Sequence, residues 1–79
     1  MEVIIYSKYN CSKCLKAKKK LRKFNPNIVI LVKDISREEF FKKFPNSKTV
    51  PQIVINNNHI GGYDDLEKWL AFNVPDANF

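Results

Sequence analysis

Seventy-nine residues make one domain at most, so a single domain over residues 1–79 is expected. The hydrophobic share of 44% excludes disorder on composition, and a net charge of +6 excludes a preference for cationic partners. No apolar run approaches the roughly 18 residues of a membrane span and no cleavable leader opens the chain, so no membrane partner and a cytoplasmic address are expected.

Glu2-Val-Ile-Ile-Tyr6 is a β-branched and aromatic run with a continuous apolar centre, hence a central strand. Ser7 to Asn10 is polar and loop-like. From Cys11, the small and apolar positions Cys14, Ala17, Leu21 and Phe24 recur at three to four residues, the inward stripe of a helix. Its other faces are almost all lysine. Residues 1–33 hold nine basic residues against Glu2 alone, and most of that excess lies between Lys13 and Lys23. A lysine face on one helix without interleaved aromatics is the pattern of a solvated surface. Nucleic acid is therefore the less favoured partner, and small anions or acidic protein surfaces the more favoured ones.

Asn25-Pro26-Asn27 ends the helix, since proline restricts the residue before it and supplies no donor. Ile28-Val-Ile-Leu-Val32 reads as a second buried strand. Asp34 to Ser36 offers capping oxygens for a short helix from Arg37 to Phe44, with Phe40, Phe41 and Phe44 as its apolar positions. Gln52-Ile-Val-Ile55 and His59-Ile60 are short strands flanking Asn56-Asn57-Asn58, and asparagines tolerate the positive φ of a hairpin turn. After Gly61-Gly62 comes a last helix carrying Leu66, Trp69, Leu70 and Asn73 at helical spacing. The order β-α-β-α-β-β-α implies an α/β fold whose first two strands are parallel and whose hairpin adds antiparallel ones.

The chemistry concentrates in Cys11-Ser12-Lys13-Cys14. Cys-x-x-Cys just after a first strand, inside a strand-helix-strand pattern, points to thiol-disulfide exchange. With Cys11 at the helix start and Cys14 one turn on, both sulfurs can meet on one face. Cys11 would lie beside unpaired N–H groups and the positive helix end, which stabilise a thiolate, while Cys14 turns inward. Lys8 and Lys13 push the same way, so Cys11 is expected to ionise well below the ordinary thiol value. Cys11 is then the attacker and Cys14 the resolver. Full ionisation gains roughly 30-fold in reactive species, but a Brønsted slope of about 0.4–0.5 returns most of it. The lasting benefit is to Cys11 as a leaving group. A mononuclear zinc site lacks partners, because zinc takes four ligands and His59 is the only further strong candidate, so no metal is assigned.

Three segments together resemble a glutaredoxin: Tyr6-Ser-Lys8-Tyr-Asn-Cys11-Ser-Lys-Cys14, Thr49-Val50-Pro51-Gln52-Ile-Val-Ile55, and His59-Ile-Gly61-Gly62-Tyr63-Asp64-Asp65-Leu66. They run in order across nearly the whole chain. The resemblance implies a small thioredoxin fold, a four-stranded mixed sheet with three helices, with glutathione as reductant and disulfide-containing proteins as substrates. It implies Cys11 as nucleophile, Cys14 as resolving cysteine and Lys8 facing the glycine carboxylate of glutathione, with Lys13 as a second cation there. It implies that Thr49 and Val50 edge the groove, Val50 pairing its backbone with the cysteinyl part, and that Pro51 is cis. Gly62, Tyr63 and Asp64 would hold the γ-glutamyl end, where backbone donors suit a carboxylate and an aspartate suits an ammonium.

The family usually has proline and an aromatic between its cysteines, where this chain has Ser12 and Lys13. Loss of proline loosens the first turn, and loss of the aromatic removes one wall of the groove. Two alternatives stay open. One is a thioredoxin-like electron donor fed by a reductase, for example toward ribonucleotide reductase. The other is a binding module in which two chains bridge a [2Fe–2S] cluster. A monomer is expected for the enzyme. Tyr6 and Trp69 read as core, His59 as a hairpin residue without catalytic part, and Arg37 as a solvated residue, with a reach from the second helix to the glutathione carboxylate as its second reading. Asp64 and Asp65 divide evenly between helix capping and ligand binding.

Overall fold

Alternation along the first strand decides the layering. The computed structural model describes residues 1–47 and 49–73. In β1 (Val3–Lys8), Val3 and Ile5 face one side and Tyr6 the other, and both sides are buried. Val3 and Ile5 pack with Ala17 and Leu21 of α1 (Ser12–Leu21), with Ile53 and Ile55 of β3 (Gln52–Ile55) and with Leu66 of α3 (Tyr63–Asn73). Tyr6 packs instead with Phe40 and Phe44, at and just beyond α2 (Arg37–Lys43). The sheet is thus covered by α1 and α3 on one face and by α2 on the other.

The strand order is β2-β1-β3-β4, with β2 at Asn27–Leu31 and β4 at Asn58–Gly61. β1 pairs β2 in parallel and β3 antiparallel, which makes it central, as its composition implies. Element order and the mixed four-stranded sheet are those of the small thioredoxin fold. β1 reaches two residues past its expected end, because Ser7 and Lys8 pair with Ile30 and Leu31. Those two residues carry the chain to the rim where Cys11 sits.

Two expectations need correction. β2 is not a buried strand: it lies at the sheet edge, and none of its residues is fully buried. Its β-branched run reads the same whether one neighbour strand or two cover it. Phe41 is not a core position either, being 45% exposed while Phe40 and Phe44 are buried. Three phenylalanines in a short helix cannot all face one sheet, and the spacing of four keeps Phe40 and Phe44 together.

Local chemistry sets the element ends. Asn25 adopts φ 51° and closes the 3-10 turn Arg22–Phe24 that extends α1. Ser36 caps α2, its hydroxyl accepting from Glu39 N–H at 3.1 Å. Asp34 is drawn elsewhere, accepting from Ile30 N–H at 3.0 Å. Asn56 and Asn57 take φ of 50° and 67°, the left-handed pair that a two-residue hairpin demands. Among the described residues, no helix is long and apolar enough to cross a membrane.

The fully buried Leu21 and the 57%-exposed Leu15 on the same helix make a paired test. Leu21→Ala should cost about 2–5 kcal/mol and Leu15→Ala no more than about 0.5 kcal/mol, read from urea unfolding midpoints.

Candidate active site

Helix α1 opens on a sulfur. Cys11 is its N-cap, with extended φ −120° and ψ 107°, and its Sγ accepts from Cys14 N–H at 3.3 Å. Its carbonyl takes Leu15 N–H at 3.1 Å, the first hydrogen bond of the helix. The N–H groups of Ser12 and Lys13 have no acceptor within the helix and lie in the same first turn. No acidic residue shares that turn to compete for the positive helix end. The expectation that Cys11 sits at the helix mouth is met, one residue ahead of the first helical position.

The two sulfurs are joined as a disulfide, with Cα atoms 5.2 Å apart. Their surroundings differ sharply. Cys11 is half-buried and lines a surface cavity, whereas Cys14 is 1% exposed and belongs to the buried stripe of α1. An incoming thiolate or disulfide can reach Cys11 and not Cys14. Cys11 Sγ also lies 3.9 Å from the carbonyl oxygen of Val50. Val50 precedes buried Pro51, and the bond between them is cis.

A groove runs past Cys11 in two lobes. The first, about 830 Å³, is lined by Lys8, Lys13 and Arg37, with Tyr9, Val32 and Phe41 as exposed apolar neighbours. The second, about 450 Å³, is lined by Pro51, Gly62, Tyr63, Asp64 and Asp65. Lys13, Thr49 and Val50 line both lobes and join them. Every residue expected to line the groove from sequence does so, and Cys14 lies beneath it. The charge is graded: three cations and no carboxylate in the first lobe, two carboxylates beside the shared Lys13 in the second. Arg37, read from sequence first as a solvated residue and second as a contact from α2 to the glutathione carboxylate, is one of those cations.

The two aspartates divide their work. Asp65 caps α3, its Oδ2 accepting from Gly62 N–H at 3.2 Å. Gly61, at φ +122°, lies so close that a Cβ there would collide with the Asp65 carboxylate. Asp64 stays exposed at the second lobe. Since Gly62 N–H is engaged, the helix-start donors left for a ligand are those of Tyr63, Asp64 and Asp65.

Sequence reading missed Gln52. It is 4% exposed, and its Nε2 donates to Thr49 O at 2.9 Å while its Oε1 lies 2.7 Å from His59 Nε2. His59, on β4, stacks its ring 4.5 Å from that of Phe44. A chain of hydrogen bonds thus fixes the Thr49-Val50 turn from below. The signal in the sequence was a glutamine at the first, inward-facing position of an otherwise apolar strand. Tyr6 and Trp69 pack in or against the core, as expected.

The glutaredoxin family model matches residues 3–60. Glutaredoxin 1 of Rickettsia prowazekii is 44% identical over 70 residues, covering 81% of this chain and 72% of that protein. The solution structure of reduced Escherichia coli glutaredoxin superposes with TM-score 0.78 at 29% identity, over 96% of this chain and 100% of that one. The buckwheat glutaredoxin–glutathione complex shares the fold at TM-score 0.71 and 22% identity, over 87% of this chain and 67% of that one. A reachable sulfur capping a helix, a shielded one a turn away and a match over most of the chain lead to one conclusion: the chain belongs to the glutaredoxin family and is a thiol-disulfide oxidoreductase.

Proposed function

We propose that this protein reduces protein disulfides and glutathione mixed disulfides with glutathione as its electron source, acting as a single-domain monomer in the cytoplasm. The observation that carries this reading is the charge grading of the groove about Cys11. Glutathione is a tripeptide with a carboxylate at its glycine end and both an ammonium and a carboxylate at its γ-glutamyl end. Lys8 and Lys13, joined by Arg37, suit the glycine carboxylate. The N–H groups of Tyr63 and Asp64 suit the γ-glutamyl carboxylate, and the Asp64 side chain its ammonium. Gly62 and Pro51 shape that end, and Thr49 and Val50 give an extended edge to which the cysteinyl backbone can pair. The glutathione sulfur then lies toward Cys11.

The chemistry follows from which sulfur is reachable. Cys11 thiolate attacks a substrate disulfide, forms a mixed disulfide and releases one substrate thiolate. Cys14 thiolate then attacks Cys11 Sγ; the second substrate sulfur departs with the bonding electron pair, and Cys11 and Cys14 are joined. One glutathione thiolate attacks Cys11 and frees Cys14. A second attacks the glutathione now on Cys11, leaving glutathione disulfide and the Cys11 thiolate. Two electrons pass from two glutathiones to one substrate disulfide. With a glutathione mixed disulfide, Cys11 takes the glutathione directly and Cys14 is not required. The pairing of Cys11 with Cys14 favours this exchange over a cluster bridged between chains.

Turnover coupled to glutathione, glutathione reductase and NADPH is the decisive measurement. Activity only with a thioredoxin-type reductase would favour the electron-donor alternative. In the coupled assay Cys14→Ser should retain activity on glutathione mixed disulfides, and Cys11→Ser should lose all turnover. Substantial activity in Cys11→Ser would overturn the roles assigned to the two sulfurs.

Alkylation of the reduced protein tests the capped sulfur separately. Its rate against pH should reach half its plateau below the pH at which an unstructured cysteine thiol does, since a hydrogen-bonded thiolate at a helix start ionises early; a midpoint no lower than that of the unstructured thiol would count against the capped sulfur. The Gln52 brace makes a further claim. Gln52→Ala should cost about 1–3 kcal/mol of stability by orphaning buried partners, and should raise KM for the glutathione mixed disulfide more than it lowers kcat. An unchanged KM would separate the brace from the groove.

A further inference from the structure

Among the described residues, Ser7 alone has a buried side-chain oxygen or nitrogen without a hydrogen-bond partner; the residue is 0% exposed. An unpaired buried hydroxyl is destabilising, so its presence calls for a reason. The register supplies one. Along β1, Ser7 shares its face with Val3 and Ile5, the face covered by α1. Toward that face α1 turns Cys14, Ala17 and Leu21. The chain reverses through Tyr9 and Asn10, so the two stripes run in opposite directions, and their order sets Ser7, at the end of one, toward Cys14, at the start of the other. The lengths match to within about 3 Å: four strand residues span about 13 Å and seven helical residues about 10 Å. On the sheet, Ile5 pairs with Ile53, which brings Ser7 beside the position of Pro51 under the groove.

We propose that Ser7 is a positioning residue for the resolving sulfur: its hydroxyl, unpartnered while Cys14 is held in the disulfide, donates to the Cys14 sulfur when that bond is open. The step it serves is the attack of Cys14 on a Cys11 mixed disulfide. Cys14 loses its proton to the medium, the Cys11–Cys14 bond forms, and the bond from Cys11 to the departing sulfur breaks, with the electron pair leaving on that sulfur. Cys14 is 1% exposed, so water contributes little to its thiolate, and the Ser7 O–H supplies the donor that water cannot. In the reverse direction the same bond steadies Cys14 as a leaving group. The attack by Cys11 does not involve Ser7. This inference goes beyond the glutathione reading, because it concerns any reaction that uses both sulfurs.

Reduced protein and dithiobis(nitrobenzoate) provide a test free of glutathione. Attack by Cys11 releases one coloured thionitrobenzoate, and attack by Cys14 on the resulting adduct releases a second. Ser7→Ala should keep the first phase and slow the second about threefold or more, since the roughly tenfold loss of thiolate is partly returned by the higher nucleophilicity of what remains. An unchanged second phase overturns the proposal, and so does an equal slowing of both phases, which would mark a general structural effect. Urea unfolding of the disulfide form is the second measurement. Its midpoint should hold or rise in Ser7→Ala, since no bond is lost there; a fall would mean that the hydroxyl is already partnered, and the proposal would fail.

Discussion

The hydrogen bond from Cys14 N–H to Cys11 Sγ is the interaction on which the rest of the site depends. A helix start leaves its first N–H groups without intrahelical acceptors, and an oxygen side chain usually meets one of them. Here sulfur does so, and the same atom is the nucleophile. Helix and reactive group are therefore positioned by one contact. The fold supplies what that contact requires: a central strand long enough to reach the rim, a two-residue reversal through Tyr9 and Asn10, and a stripe of Cys14, Ala17 and Leu21 that fixes the rotation of α1 against the sheet. Turning the helix by one residue would bury Cys11 or expose Cys14, and either change would exchange the accessible and shielded sulfurs.

The other side of the groove depends on a different arrangement. The turn before β3 carries Thr49 and Val50, and its backbone faces Cys11 without the support of a helix. The chain of His59, Gln52 and the Thr49 carbonyl ties it to the hairpin, while Phe44 backs the imidazole. Buried side-chain hydrogen bonds of this kind specify a geometry more than they add net stability, because removing one partner leaves the other unpaired. The result is two rigid edges facing each other across Cys11, one set by α1 and one by the hairpin. Pre-organised edges lower the ordering cost of binding a flexible peptide.

Sequence pattern and structure agree where a single physical rule dominates. The continuous apolar run of β1, the stripe of α1 and the asparagines of the hairpin each followed from one local requirement. The Cys-x-x-Cys pair was legible from its own spacing, whereas the Thr-Val-Pro and Gly-Gly-Tyr-Asp segments pointed to the groove through their resemblance to the family. What stayed hidden was set by packing across the sheet. An edge strand and a buried one share the β-branched run of β2, so its half-exposed state is a property of strand order. Phe41 lines the groove because α2 covers the sheet face beside it, and no spacing in the sequence connects it to Cys11. Asp64 and Asp65 are chemically identical, and only the backbone turn at Gly61 and Gly62 decides which one caps.

The capped sulfur also constrains the redox balance of the pair. A hydrogen bond to a charged acceptor contributes about 1.5–3 kcal/mol, against about 0.5–1.5 kcal/mol for a neutral one. The Cys14 N–H therefore favours Cys11 as a thiolate over Cys11 in a disulfide by something on the order of 1 kcal/mol, close to the roughly 1.4 kcal/mol that corresponds to about 30 mV for a two-electron couple. Lys8 and Lys13 add in the same direction, since both line the lobe that holds Cys11. Stabilising the reduced form makes a pair more oxidising. Replacement of the usual proline and aromatic by Ser12 and Lys13 thus removes a wall of the groove but adds a cation next to the reacting sulfur. The departure that weakens apolar contact with a substrate is the one that strengthens the thiolate, and the two effects act on different steps: contact on capture, charge on release.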